Sequence, residues 1–435
     1  MVQAQVTQHD AVVVGSGPGG ATVARELARA GKRVLILERG KDYRSLGSYR
    51  TALRALDMGR SKEGLSMLRA SITGGASVFF SASAADPPPW LATRYGIDLA
   101  PWVDEIKRET RAGVLPENLL GSASVRVMEA ANGLGYSWEP MPKFLDPAKF
   151  RNGLCCGAKE HLGCICGAKW TARDFLDDAV AAGAELKTET ECEQVLLERG
   201  AAVGVRARSS GGRETEHRAD RVILAAGGLS TPLLLQRAGI EAAGDGCFMD
   251  PTVIVYGKAP FEGNWADPPV SVVSWEFYES DGIRIGTIIE PKLILAKSLL
   301  TTSPRDLGLT MSYRNLVGIL VKVKDDLSGR VHPSGEVSKR LNESDHGRLN
   351  KGAEVATEIL RALGCPERTI VRGEIKGAHP SGTCRIGQVL SEHLETEIKN
   401  LYVCDASVFP EALDRPTVIT IIGFGKRLCR HLLGQ

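Results

Sequence analysis

Between residues 11 and 37 the apolar positions change period twice. Ala11 to Val14 and Val34 to Leu37 are short unbroken apolar runs, as expected of strands buried on both faces in a parallel sheet. Between them Ala21, Val23, Ala24, Leu27 and Ala28 recur at the spacing of one helix face. The pattern therefore predicts strand, turn, helix, strand. Residues 220–240 predict a second strand and glycine turn, followed by a helix entered through Ser230, Thr231 and Pro232. Residues 400–413 predict a strand that delivers Asp405 at its end, and residues 414–433 an apolar helix starting at Pro416 and Thr417.

The stretch between these segments has a different texture. Residues 270–278, 283–291 and 316–325 are β-rich and predict an antiparallel sheet. Residues 344–364 predict a helix with Ser344 as N-cap and Gly364 ending it, and residues 293–311 a partly helical apolar stretch that either lines the pocket or, the favoured reading, fills the core.

The first turn carries chemistry. Gly15, Gly17 and Gly20 form G-x-G-x-x-G between a strand and a helix, and Glu38 closes the second strand. In that context the first glycine permits the turn, the second lets backbone approach a pyrophosphate at a positive helix end, and the third allows close helix packing. The acid stands where a ribose hydroxyl is held. Ser16, Pro18 and Arg39 belong to the same candidate site. The motif alone does not separate FAD from NAD. Residues 73–84 are rich in small side chains, and Gly74, Gly75 and Ser77 either meet phosphate or flavin or form a packed loop.

Composition bounds the rest. A chain of 435 residues exceeds the usual size of one hydrophobic core, so two domains are expected. Its 43% hydrophobic and 24% charged content is that of an ordinary soluble enzyme, and a net charge of +2 argues against nucleic acid or an acidic membrane as partner. No stretch reaches the length of a membrane span, and residues 1–10 lack the basic and apolar regions of an export signal. The expected location is the cytoplasm, where the 10 cysteines read as reduced thiols or metal ligands.

The four nucleotide-type segments, in this order, resemble the glucose–methanol–choline (GMC) flavoprotein oxidoreductases, and the likeness extends to "HPSGTCRIG" at 379–387. The resemblance implies an α/β fold: a Rossmann-like FAD-binding domain split in sequence (1–90, 184–245, 375–435) and an α+β substrate domain with an antiparallel sheet (91–183, 246–374). It implies FAD held by the glycine turn, Glu38, the Gly74–Gly75 loop, backbone near Val195, Asp405 with Ala406, and the helix start at Thr417 and Val418. No histidine stands at 73–84, so a non-covalent flavin is expected.

The same resemblance makes His379 the base for oxidation of a CH–OH group by hydride transfer to flavin N5. Histidine suits that task because its ordinary pKa lies near neutrality. The family usually places Asn or His before the proline at the last helix start, whereas this chain offers Arg415 or Pro416. Arg415 is therefore expected to clamp a carboxylate or carbonyl oxygen. The departure leaves open a carbon–carbon dehydrogenase or enone reductase, and an electron-transfer flavoprotein with a decayed site. Finally, Cys155, Cys156, Cys164 and Cys166 crowd a short segment as C-C-x7-C-x-C, with His161 among them. The segment is similar to one that carries an iron–sulfur cluster in some relatives, but its register matches no standard motif, so an inert thiol loop stays open. A cluster would pass electrons to a protein or quinone acceptor; the other expected partner is a small-molecule substrate.

Overall fold

The computed structural model describes residues 8–434 apart from Arg44, Asn152, Leu154 and Asp414, so residues 1–7, on which the reading of the N-terminus rests, lie outside it. Five parallel strands run in the order Leu401–Val403, Val222–Leu224, Ala11–Val14, Val34–Leu37, Glu185–Lys187. Their residues are apolar because both faces are covered. The helices Pro18–Arg29 and Val418–Leu432 pack against each other, and Ala172–Ala181 joins them. Arg25, 1% exposed, places its guanidinium 3.5 Å from the Phe175 ring centre and 2.6 Å from Glu109. The helix at 172–181, read from the sequence with the substrate side, thus packs on the nucleotide half.

Strand order reverses direction at Ala11–Val14, so a crevice opens beyond the carboxyl ends of that strand and Val222–Leu224. The turns at Gly15, Ala225 and Asp405 all leave the sheet at this edge. A separate three-stranded antiparallel sheet follows from Thr190–Glu198 to Glu214–Arg218.

The second large sheet has nine strands. Pro251–Lys258, Leu316–Val323, Ile283–Thr287 and Val272–Ser274 form its antiparallel centre. Leu56–Arg60 and Ser66–Ala70 extend it through a parallel pairing of Ser66 and Met67 with Lys376 and Gly377. Residues 56–70 therefore pair with the substrate-side sheet, although the sequence groups them with the glycine turn. Alternation divides the faces. Val253, Ile285, Ile319 and Val321 pack under the helix Glu343–Ala362, while Thr252, Leu320 and Lys322 turn to the opposite side.

That helix is capped two residues before the expected position. Asn342 accepts from the Asp345 amide at 2.8 Å and Asp345 accepts from the Asn342 amide at 3.0 Å, a capping box that displaces Ser344 from the role. Gly364 does follow its end, with φ +80°. Lys292–Thr302 and Pro304–Asn315 are helical, as the apolar pattern suggests; Leu295 and Leu299 fill the core as expected, while Leu293, Leu300 and Met311 are exposed. Among the described residues no helix is long and apolar enough to cross a membrane.

Candidate active site

A cavity of about 480 Å³ runs from the glycine turn to the face of the large sheet, within the size range of small-molecule and cofactor sites. Gly15, Ser16, Gly17 and Pro18 form its floor at the N-terminus of the first helix. A Cβ on Gly17 would point into open space, whereas one on Gly20 would stand 2.1 Å from the Gly15 carbonyl oxygen. Gly17 therefore presents backbone to a ligand, and Gly20 serves helix packing without bordering the cavity. Glu38, 7% exposed, accepts from the Ser16 amide at 3.0 Å and the Gly40 amide at 2.6 Å. Burial pushes its carboxyl above the usual range, opposed by these hydrogen bonds.

The 73–84 loop closes over the turn. The Gly74 amide donates to Ser16 Oγ at 3.0 Å, and Ser77 Oγ donates to the Gly74 carbonyl at 2.6 Å. Gly75 and Ser77 border the cavity; Gly74 supports them from behind. Arg39 borders it as well, bonded to Ser71 Oγ at 2.9 Å. Val195 does not: it is a buried core residue of the 190–198 strand, and Thr190, Glu191 and Cys192 reach the cavity instead. Alternation and the bulge after Cys192 decide which residues face it.

Asp405 and Ala406 border the cavity, with Asp405 accepting from the Gly227 amide at 2.8 Å and from Thr231 Oγ1 at 2.5 Å. Thr417 and Val418 bring the start of the last helix to the same wall. Gly228 has a local reason: a Cβ there would meet the Pro380 carbonyl oxygen at 2.0 Å, so only glycine lets the 378–383 loop lie against this turn.

His379 sits on that loop and borders the cavity. Its Nδ1 lies 3.0 Å from Asp250 Oδ2 and 2.8 Å from Lys322 Nζ, and Lys322 Nζ is 3.4 Å from the same carboxylate oxygen. Asp250 is fully buried and has φ +46°, a conformation rare outside glycine. It is held there by Asp325, which accepts from the Asp250 amide at 2.9 Å and pairs with buried Lys339 at 2.8 Å. Desolvation lowers the His379 pKa below the ordinary histidine value; Lys322 lowers it further and Asp250 opposes. Burial raises the Asp250 carboxyl, but Lys322 and His379 together leave it below the usual range.

Arg415 lies elsewhere. Its guanidinium stacks 4.6 Å from the Tyr278 ring centre, donates to the Tyr278 hydroxyl through Nε at 2.9 Å, and does not border the cavity, whereas Pro416 does. The charged neighbours of His379 come from the large sheet instead, and sequence reasoning missed them. A lysine or arginine interrupting an apolar strand, as Lys322 and Arg284 do, was the available signal.

The cysteines converge. Cys156 and Cys166 sulfurs are 3.5 Å apart, as are those of Cys164 and Cys166, while Cys155 and Cys156 are at 3.7 Å. The thiols of Cys155, Cys164 and Cys166 lie within 4.8 Å of one another. His161, on the same loop and half-buried, is held mostly out of water at its ring, and this desolvation drives its pKa down to about 3. Lys169 ties this loop to the cavity wall, donating to the Glu160 carbonyl at 3.1 Å and the Phe80 carbonyl at 3.0 Å.

Comparison with known proteins places this geometry. The N-terminal GMC oxidoreductase family model matches residues 60–254, the C-terminal one residues 327–425, and an NAD(P)-binding Rossmann-like domain model residues 13–49. An uncharacterized GMC-type oxidoreductase of Mycobacterium tuberculosis (strain ATCC 25618 / H37Rv) is 33% identical over 315 residues, 66% of this chain and 48% of that protein. The match thus spans about half the length of that relative. A long-chain-alcohol oxidase of Arabidopsis thaliana is 26% identical, covering 96% of this chain and 67% of its own length. The crystal structure of pyridoxine 4-oxidase from Mesorbium loti superposes with a TM-score of 0.71 at 16% identity, covering 98% of this chain and 99% of that one, a likeness of fold.

Proposed function

The chain belongs to the GMC oxidoreductase family, and from that premise we propose an FAD-dependent oxidoreductase that oxidises a CH–OH group with His379 as base. The observation that carries this reading is a single imidazole on the cavity wall, its Nδ1 3.0 Å from a buried carboxylate. The floor suits a dinucleotide. Gly17 leaves room for a pyrophosphate, and Glu38 Oε1, which accepts only from the Gly40 amide while Oε2 accepts from both the Ser16 amide and Ser16 Oγ, keeps a lone pair for a ribose hydroxyl. Bound there without a covalent link, the flavin supplies a hydride acceptor.

The chain's own residues handle the proton. With Nδ1–H donating to Asp250, and Lys322 Nζ, 2.8 Å from the same nitrogen, directing its protons to the Asp250 carboxylate instead, the neutral imidazole keeps its lone pair on Nε2, and the lowered pKa keeps it unprotonated near neutral pH. Nε2 then takes the hydroxyl proton, and Asp250 stabilises the imidazolium that forms. A base so placed contributes roughly 10²- to 10⁴-fold in rate. The unpaired amides at the start of the Val418–Leu432 helix put positive potential on the same wall, where negative charge develops. We place the protein in the cytoplasm, a reading its 10 unbridged cysteines support.

Anaerobic mixing of the yellow protein with alcohols tests this. Bleaching by an alcohol, lost in His379→Ala, is the expected result. A purified protein that neither contains nor takes up FAD refutes it.

A second cofactor is favoured by the convergence of the thiols: Cys155, Cys156, Cys164 and Cys166 would hold an iron–sulfur cluster, with Lys169 linking their loop to the cavity wall at Phe80. It would carry electrons onward to a protein or quinone acceptor. Iron and sulfide analysis with electron paramagnetic resonance decides it.

A further inference from the structure

The helical stretches after Glu290 have two unlike faces. Leu295 and Leu299 anchor Lys292–Thr302 in the core. Leu293 and Leu300, seven residues apart and so on one side of that helix, are 60% and 57% exposed, and Leu307 and Met311 on Pro304–Asn315 are exposed as well. The short helix Tyr49–Ala55 adjoins them. Tyr49 Oη accepts from the Leu293 amide at 3.3 Å, and Leu53, one turn further along the Tyr49 face, is 79% exposed. Single exposed leucines are ordinary. Here five of the eleven large apolar side chains exposed among the described residues belong to two touching segments.

The same segments concentrate positive charge. Residues 49–55 and 292–315 carry Arg50, Arg54, Lys292, Lys297, Arg305 and Arg314 against one acid, Asp306, whereas the whole chain is nearly balanced at +2. All six cations are exposed. The near-neutral total therefore says nothing about this face. Leucines that protrude among cations make up the surface of a helix lying in a membrane interface, with apolar tips at the acyl boundary and cations at anionic headgroups. The core of a protein interface is instead depleted of charge. A second copy of this face would set cation against cation across a two-fold axis, which disfavours self-association.

We propose that this face seats the protein on the surface of an anionic phospholipid bilayer, with Leu53, Leu293, Leu300, Leu307 and Met311 entering the interface. Such attachment lies on the membrane without crossing it, so it needs no helix long and apolar enough to span. It goes beyond the oxidoreductase reading and does not depend on it. The lipid-facing helix also reaches toward the cavity. Ser298 Oγ accepts from the Glu374 amide at 3.0 Å, and the Glu374 carboxylate accepts from Ser66 Oγ at 2.6 Å. Two residues along that strand, Leu68 borders the cavity and is itself exposed. Lipid contact would thus bring the Leu68 side of the cavity close to the membrane surface.

The test uses the full chain as purified. Co-sedimentation with sucrose-loaded vesicles compares pure phosphatidylcholine with phosphatidylcholine containing about one third phosphatidylglycerol, at low and at physiological salt. Binding to the anionic vesicles is expected to be about tenfold tighter or more. Leu293→Ser with Leu300→Ser, and separately Arg50→Gln with Lys292→Gln, should each weaken it about tenfold, with melting curves unchanged. Val114→Ser, at an exposed apolar residue outside these segments, should leave binding intact. No sedimentation with either vesicle, or binding that neither pair of substitutions weakens, overturns the proposal. Salt-sensitive binding that the leucine substitutions leave untouched overturns it too, marking a charge-only contact of the kind an acidic protein would make. A dimer in analytical ultracentrifugation that the leucine substitutions dissolve assigns the face to a second copy and likewise overturns it.

Discussion

Asp250→Asn isolates the electrostatic role of one buried carboxylate at almost constant shape. The carboxylate lies 3.0 Å from His379 Nδ1 and 3.4 Å from Lys322 Nζ. Two unit charges at the latter distance attract by about 5 kcal/mol at an effective dielectric near 20, before desolvation is subtracted. Removing one partner of a buried pair typically costs about 3–5 kcal/mol. The larger effect is on rate. The amide no longer fixes the Nδ1–H tautomer and no longer stabilises the imidazolium, so flavin reduction is expected to slow by roughly 10²- to 10⁴-fold, or about 3–5 kcal/mol of barrier.

The pH profile separates this from simple damage. With His379 as the proposed base the competent form is the neutral imidazole, so kcat/KM is expected to fall as pH drops through a His379 pKa held below the ordinary histidine value. Asp250 is the group that opposes the fall, so its loss leaves the lowering effects of burial and Lys322 in place and moves the acidic limb to still lower pH. Stopped-flow absorbance of flavin reduction across mildly acidic to neutral pH measures both plateau and limb. An unchanged plateau with an unmoved limb refutes the reasoning; a lower plateau with an unmoved limb reduces Asp250 to a structural part.

Other perturbations have equally definite outcomes. Gly17→Val places a side chain in the open cavity, so the protein should melt normally but purify colourless. Gly20→Ala drives a methyl to within 2.1 Å of the Gly15 carbonyl oxygen, and denaturant titration should show a loss of about 1–3 kcal/mol. Arg415→Met removes contacts to Tyr278 and the Asp86 carbonyl, both outside the cavity lining, and kcat/KM should stay within about twofold. Paired Cys164→Ser and Cys166→Ser substitutions should reduce bound iron to background while leaving the flavin absorbance in place, checked by metal analysis.

The sequence by itself determined the nucleotide half, because its signals are local. An apolar run, a glycine turn, a helical stripe and a terminal Glu38 lie within one short segment, and each states its backbone geometry without reference to the rest of the chain. The cysteine crowding and His379 were legible for the same reason. What a strand residue faces is not local. Val195 against Cys192, and Arg415 against Pro416, were decided by a bulge and by a side chain's choice of Tyr278, which only packing fixes. Arg284, Lys322 and Asp250 stand apart in sequence and became one group through the register of antiparallel strands and the positive-φ backbone at Asp250. Local chemistry wrote where a cofactor would lie; long-range pairing, whose closure no short window of sequence records, set the charges that face it.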